Sequence, residues 1–161
     1  MKKKLIFIIL AAVLALALII TGSVLALKNA FGNNTIISVG ATSGSVGEKV
    51  KVPVEISGNP GFAALMIDFE YDTSLLKYIT YDKGDVLSDY GIDEKDGSIR
   101  FLSLEYEDKN ADGVLFYLVF EIIGNSKSSA EIKAILEEDN LINSASESIS
   151  AKTENGAIEI K

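Results

Sequence analysis

Residues 49–57 alternate between polar and apolar side chains with a period of two. This period predicts a β-strand with one face in a core and the other in water, as in an antiparallel sandwich. Pro53 stands at an outward position and has no backbone N–H to donate, so we expect the strand to lie at a sheet edge or to carry a bulge there. The inward positions are Val50, Val52, Val54 and Ile56.

The next run, residues 63–71, keeps this period but has a less polar outer face. Leu65, Ile67, Phe69 and Tyr71 lie on its inward face. Its outer positions begin with Ala64 and Met66 and turn acidic only at Asp68 and Glu70. Apolar side chains on an outer face are unfavourable in water, so either another part of the chain or another protein should cover them.

Comparable runs recur up to residue 161, with turn-forming Gly, Asn and Asp residues between them. Such spacing is typical of all-β sandwiches. No segment keeps a period of 3.6 residues, so we expect no long helix. The nine predicted strands are Thr35–Ala41, Lys49–Ser57, Ala63–Tyr71, Lys77–Asp82, Asp85–Ser88, Ser98–Glu105, Val114–Ile123, Ala130–Leu136 and Ser148–Ile160, the last broken near Asn155-Gly156.

The first residues of the chain have the composition of an apolar leader. Lys2–Lys4 precede an uncharged run that begins at Leu5, and Val24 and Ala26 stand at the spacing of a signal-peptidase site. About twenty apolar residues also suffice to span a bilayer. Residues 1–26 are therefore a signal peptide or an N-terminal membrane anchor.

Both alternatives for the leader place the rest of the chain outside the cell. The anchor alternative attaches it to the membrane through residues 5–27. Residues 27–34 then form a short tether, and residues 35–161 form one domain, a length that supports a single hydrophobic core.

The composition excludes several classes of function. The chain has no cysteine and no histidine, which removes disulfides, thiol nucleophiles, imidazole bases and the usual zinc ligands. Its formal net charge is −8, and without Lys2–Lys4 it holds 12 basic residues against 23 acidic ones. Such a surface repels nucleic acid and anionic lipid.

Acidic pairs are the one remaining catalytic option. Glycoside hydrolases need two carboxylates beside a cleft, and the available sets are Glu105 with Glu107, and Glu137 with Glu138 and Asp139. The chain has no tryptophan and shows no aromatic-lined groove around these pairs. We therefore predict no enzymatic activity and no catalytic residue.

Residues 108–113 match the opening of a calcium loop, D-x-N-x-D-G. Such a loop needs a bidentate Glu at its twelfth position, where this chain has Val119. We therefore interpret the segment as an acidic turn between strands, and we predict no metal site and no cofactor.

A set of short motifs follows in a distinctive order. They are Val39-Gly40, Gly47–Val54, Phe69–Leu76, Lys83-Gly84-Asp85, Asp112–Leu115, Phe120, Asp139–Ile142 and Asn155–Ile158. In this order they resemble the cohesin family, whose members bind dockerin modules in cellulosome scaffolds and related bacterial and archaeal surface proteins. The resemblance spans Ile36–Ile160.

The resemblance implies a nine-stranded antiparallel jelly-roll sandwich that binds a dockerin on the sheet formed by its third, fifth, sixth and eighth strands. It also implies that calcium is carried by the dockerin. The best-known cohesins usually have Asn and Asp where this chain has Ala64 and Met66, so a more apolar contact is implied. The implied contact residues are Ala64, Met66, Asp68, Glu70, Tyr90, Arg100, Leu102, Leu104, Glu105, Asp139, Asn140 and Leu141.

The residues themselves indicate the same face. Residues 99–104 carry apolar side chains at both alternating positions, so one set turns toward solvent whichever set is buried. Together with Ala64 and Met66, this set forms a patch rimmed by charge, which usually marks a protein contact. The alternative is that a loop or the final strand covers these side chains.

We therefore predict a non-catalytic, extracellular or cell-surface docking module for a dockerin-bearing protein such as a carbohydrate-active enzyme. The module itself would contact polysaccharide only indirectly, through this partner. One alternative is a carbohydrate-binding module of similar fold, and another is a purely structural surface domain. Sugar-binding modules use coplanar exposed aromatic rings. The candidates for such rings are Tyr78, Tyr81, Tyr90 and Tyr106, which do not align in the sequence.

Overall fold

The computed structural model describes residues 35–125 and 127–161. The predicted leader, residues 1–26, and the tether, residues 27–34, lie outside this range. The described residues contain no helix, and therefore none long and apolar enough to cross a membrane. They form β1 (Thr35–Val39), β2 (Ala41–Gly44), β3 (Lys49–Ser57), β4 (Phe62–Tyr71), β5 (Leu76–Lys83), β6 (Tyr90–Lys95), β7 (Ser98–Lys109), β8 (Gly113–Ile122), β9 (Ser128–Ile135), β10 (Leu141–Ile142), β11 (Ala151–Glu154) and β12 (Gly156–Ile160).

The strands build two sheets around one core. The first sheet has the order β11-β1-β3-β8-β5. The second has the order β2-β12-β9-β4-β7-β6, and β10 extends it by pairing with β4. Buried apolar side chains from both sheets form a single cluster, so the all-β sandwich prediction is confirmed.

Three phenylalanines join the two sheets across the core. The ring of Phe116 on β8 stacks on that of Phe101 on β7, with 4.3 Å between ring centroids. It also meets the ring of Phe69 on β4 edge-on at 5.8 Å. All three side chains are completely buried. Because successive residues of a strand point to opposite faces, these contacts turn the even-numbered residues 64–70 of β4 and 98–104 of β7 outward.

The sheets are mixed, so the prediction of a wholly antiparallel sandwich is wrong. β1 pairs in parallel with β11, and β2 pairs in parallel with β12. The first and last segments of the domain run side by side, and each crosses from one sheet to the other. Consequently the predicted strands Thr35–Ala41 and Ser148–Ile160 each include residues of two strands, and the described residues form twelve strands where nine were predicted.

Gly40 and Gly156 occupy the two crossing points. A Cβ added at Gly156 would lie 2.3 Å from the carbonyl oxygen of Gly40 and 2.6 Å from a methyl carbon of Val39. No side chain fits within such distances. The two crossings can therefore lie side by side only while Gly156 has no side chain.

Pro53 lies inside the first sheet and not at its edge, because β3 pairs with β1 on one side and β8 on the other. The register with β8 shifts between Val54 and Glu55, where β8 has the extra residue, so an irregularity lies next to Pro53 and not at it. The carbonyl of Pro53 accepts a hydrogen bond from the Gly40 amide at 2.8 Å. The backbone nitrogen of Pro53 is thus directed to the point where β1 has ended, so no strand there lacks a hydrogen bond because Pro53 has no N–H.

Residues 85–88 form a loop and not the predicted fifth strand. Val86 and Leu87 are buried in the core, and the Asp85 amide donates to the carbonyl of Val114 at 3.0 Å. The apolar pair that suggested a strand therefore fills core space from a loop. The strand that follows, β6, lies at the edge of the second sheet and pairs with β7.

Glu105 stands in β7 where the regular pairing of this strand with β4 is interrupted. Its side chain is only 5% exposed and forms an ion pair with Lys109 at 3.3 Å. Its carboxylate accepts hydrogen bonds from the amides of Ser88 at 2.8 Å and Asp89 at 3.3 Å. Burial alone would raise the pKa of Glu105, but these amide bonds and Lys109 outweigh burial and lower that pKa.

We expect Gly156→Ala to lower the free energy of unfolding by about 1–3 kcal/mol, because the new methyl group overpacks the crossing. Gly91→Ala is the matched control, since a Cβ there meets no atom within 4 Å. It should change the free energy of unfolding by less than about 0.5 kcal/mol. Urea unfolding of both variants measures the difference, and equal midpoints would contradict this account of the crossing.

We expect Glu105→Gln to lower the free energy of unfolding by about 1–2 kcal/mol at pH 7, because it weakens charged hydrogen bonds to the loop. The pKa of Glu105 is below its ordinary value of 4.5, so the advantage of the wild type is complete above pH 4.5 and shrinks as pH falls below that value. Urea unfolding at pH 7 and pH 3 tests this, with the exposed Glu107→Gln as control. A difference independent of pH would contradict it.

Candidate functional site

One surface of the second sheet brings together most of the predicted contact residues. On it, Ala64 lies opposite Leu104 and Met66 opposite Leu102. We call this surface the outer face, and its members from β4 and β7 are Ala64, Met66, Asp68, Glu70, Arg100, Leu102 and Leu104.

The apolar part of the outer face is open to solvent. We call Ala64, Met66, Leu102 and Leu104 the apolar patch; Leu102 is 44% and Leu104 is 66% exposed. Ala64 and Met66 are half-buried between their neighbours. Within the described part of the chain, neither a loop nor the final strand buries the two leucines. Exposed leucines side by side on a sheet are typical of a surface that meets another protein.

Ion pairs border the apolar patch on one side. Asp68 and Arg100 form a bidentate pair, with Nε to Oδ1 at 2.8 Å and Nη2 to Oδ2 at 2.7 Å. The hydrogen bonds from Arg100 hold the pKa of Asp68 below its ordinary value. In the adjacent cross-strand row, Lys133 Nζ lies 3.3 Å from Glu70 Oε2. The charges of this border are therefore largely paired with one another before any partner arrives.

The loop of residues 136–140 stands at the border of the outer face. β9 pairs with β4 as far as Asp68, and the chain then loops out before β10 resumes the pairing at Leu65. The Met66 amide donates to the Asn140 carbonyl at 2.8 Å, so Asn140 lies beside the apolar patch. Asp139 is exposed and has a φ of 66°.

Three predicted contact residues turn away from the outer face. Tyr90 lies opposite the buried Ser103, and its ring packs against Phe101 at 5.2 Å between centroids. Leu141 is 1% exposed and belongs to the core. Glu105 directs its carboxylate to the loop before β6. The side chains of these three residues are occupied within the domain, so their assignment to an exposed contact surface is corrected.

The calcium-like segment uses its oxygens for hydrogen bonds within the chain. Asp108 Oδ1 accepts from the Ser144 amide at 2.6 Å, and Asp112 Oδ1 accepts from the Asn59 amide at 2.9 Å. The Asn59 side chain donates in turn to the carbonyl of Lys109 at 2.8 Å. Over the described residues, no group of three or more acidic side chains is arranged to hold a metal ion.

The tyrosines do not form a flat sugar-binding surface. Tyr78 packs edge-on against Phe120 at 6.0 Å, and Tyr81 and Tyr90 pack against each other at 5.5 Å. Burial raises the pKa of Tyr78 to about 12. Tyr106 is different, because its side chain is 103% exposed. The carbohydrate-binding alternative therefore lacks the row of exposed aromatic rings on which it depends.

Sequence reasoning missed Tyr106 as part of this surface. The predicted strand ends at Glu105, whereas β7 continues to Lys109 and includes the exposed Tyr106 two residues after Leu104. The sequence did contain a signal for it, because residues 102, 104 and 106 are two apart and would lie on one side of a regular strand. Half-buried Ile135 and Ile142, which lie opposite Asp68 and Ala64, were also missed.

Comparisons with known proteins agree with this architecture. The family model described as the cohesin domain matches residues 35–160. The sixth cohesin of scaffoldin B from Acetivibrio cellulolyticus, solved with a mutant Cel5 dockerin, superposes with a TM-score of 0.74 at 27% identity, covering 80% of this chain and 99% of that chain. No curated protein sequence matches this chain significantly.

Two further structures extend the comparison. The cohesin of the Coh-OlpA–Doc918 complex from Clostridium thermocellum is 26% identical with a TM-score of 0.71, covering 80% of this chain and all of that chain. A non-cellulosomal cohesin from the archaeon Archaeoglobus fulgidus is 20% identical with a TM-score of 0.72, covering 80% of this chain and 91% of that chain, and shows the fold alone. Since the family model matches nearly the whole described domain, the chain belongs to the cohesin domain family.

Proposed function

We propose that this cohesin domain is a docking module whose outer face binds a dockerin-bearing protein. The observation that carries the proposal is the exposure of Leu102 and Leu104 side by side on β7. Cohesins of similar fold in the solved complexes are paired with dockerins. The module is non-catalytic, which fits a surface that offers contact area and no paired reactive groups.

Burial of the apolar patch would supply most of the binding free energy. Removing apolar area from water contributes about 25 cal/mol per Å², and the two leucines expose most of the area available here. Met66 lies beside Leu102 and has an unbranched side chain that adapts to a partner's shape. Contacts at the centre of an interface carry more energy than contacts at its rim.

Charged and polar residues around the patch would fix the orientation of the dockerin. Asp139 and Asn140 stand at one border, and Asp68, Glu70 and Arg100 form another. Rim charges mainly set orientation and association rate. The net acidic composition of the domain favours a dockerin with basic side chains around its contact helices.

The cellular setting belongs to the same proposal. The apolar leader, residues 1–26, would export the chain as a cleaved signal peptide or keep it at the membrane as an anchor. The domain would then act outside the cell or at its surface. Its partner would be a carbohydrate-active enzyme that carries a dockerin with bound calcium.

We expect Leu102→Asp to weaken dockerin binding by about 2–4 kcal/mol, because it places a charge in the centre of the apolar patch. Ile123→Asp is the matched control, because Ile123 is 45% exposed and follows β8 of the other sheet. Calorimetry of the full chain against calcium-loaded dockerins from the same organism measures both variants. The melting temperature of Leu102→Asp should stay close to that of the wild type.

The same titrations run in parallel against soluble cellulose and xylan fragments. Binding to a polysaccharide by a chain that binds no dockerin would replace the docking proposal with the carbohydrate-binding alternative. Equal weakening by Leu102→Asp and Ile123→Asp would show that the outer face is not the contact surface. A large loss of stability in Leu102→Asp would show that Leu102 belongs to the core.

A further inference from the structure

Leu102, Leu104 and Tyr106 of β7 form a row whose exposure to solvent increases along the strand, and we call this row the ridge. Leu102 is 44% exposed, Leu104 is 66% exposed and Tyr106 is 103% exposed. Tyr106 follows Leu104 by two residues in β7, next to the point where the regular pairing of β4 with β7 ends at Ala64 and Leu104. It therefore adds an exposed ring beside the apolar patch.

Tyr106 projects because β7 is longer here than the strand beside it. Ala64 pairs with Leu104 and Phe62 pairs with Lys109, so between these pairs β7 has four residues, 105–108, where β4 has one, Ala63. Residues 105–108 therefore form a bulged segment, and bulges of this kind re-aim side chains at the edges of sheets. The full exposure of Tyr106 fits its place in this segment.

Hydrogen bonds hold this bulged segment on both sides of Tyr106. Before it, the Glu105 carboxylate accepts from the amides of Ser88 and Asp89. After it, Asp108 Oδ1 accepts from the Ser144 amide at 2.6 Å. The segment is thus tied to the loop before β6 and to the loop after β10, and the backbone of Tyr106 is fixed before any partner binds.

A fixed backbone below a fully exposed tyrosine favours a binding role over a structural one. The ring stabilises nothing within the described domain, since its side chain is fully exposed to solvent. Tyrosine gives a large contact area at a small entropic cost because only two side-chain torsions must be ordered. Isolated exposed aromatic residues are common, but this one continues a row of exposed leucines.

We infer that Tyr106 is an anchoring contact residue for the dockerin, and that its ring enters an apolar recess between the dockerin's contact helices. This inference rests on the proposed function and adds a residue that lies past the regular pairing of the outer face. The adjacent Glu107 and Asp108 are exposed and acidic, so the recess would be bordered by lysine or arginine.

The test compares Tyr106→Ala, Tyr106→Phe and Val46→Ala in the full chain, with a calcium-loaded dockerin from the same organism that binds the wild type. Val46 is the matched control because it is 51% exposed and lies between β2 and β3. We expect Tyr106→Ala to weaken affinity at least tenfold, mainly through faster dissociation. Tyr106→Phe should stay within about threefold of the wild type because it keeps the ring, and Val46→Ala should match the wild type.

The possible outcomes separate this inference from the proposed function. Wild-type affinity in Tyr106→Ala, together with weakened binding in Leu102→Asp, would overturn the inference and leave the docking proposal standing. A lowered melting temperature in Tyr106→Ala would show that the ring packs within the domain, which also overturns the inference. A wild-type chain that binds no dockerin from its own organism would overturn both.

Discussion

The contact of Phe116 with Phe69 and Phe101 is the interaction on which the docking surface depends. It joins the two sheets across the core and commits the odd-numbered residues 65–69 of β4 and 99–103 of β7 to the interior. Because side chains alternate along a strand, the even-numbered residues 64–70 of β4 and 98–104 of β7 then face outward. The apolar outer face is therefore a consequence of how the core is filled, and a one-residue slip in either strand would bury the patch and expose the phenylalanines.

The ends of the domain explain why the patch stays open. The first and last segments cross between sheets together at Gly40 and Gly156, and so β12 enters the second sheet beside β2 and β9. β9 then separates β12 from β4, which keeps the closing strand away from the apolar patch. Close packing at one glycine pair thus determines which strands are left with an unoccupied face.

The sequence predicted an apolar outer face on β4 and β7 because a period of two is a local pattern, but it left open which set of residues 99–104 is buried, and the burial of the Phe101 ring decides this. It failed where tertiary contacts decide the geometry. Val86 and Leu87 look like a strand but fill the core from a loop, so β6 starts later and Tyr90 faces inward. β7 runs past Glu105 because that carboxylate binds the amides of Ser88 and Asp89, which no local pattern reveals.

The charged border of the outer face determines what kind of recognition remains possible. The bidentate bonds between Asp68 and Arg100 occupy both groups, and Lys133 neutralises Glu70. A partner's charge must compete with these pairs, and exposed ion pairs yield little net free energy. Under the proposed function, discrimination among dockerins would therefore fall mainly to shape along the ridge of Leu102, Leu104 and Tyr106, while the domain's negative charge would act at longer range on the association rate.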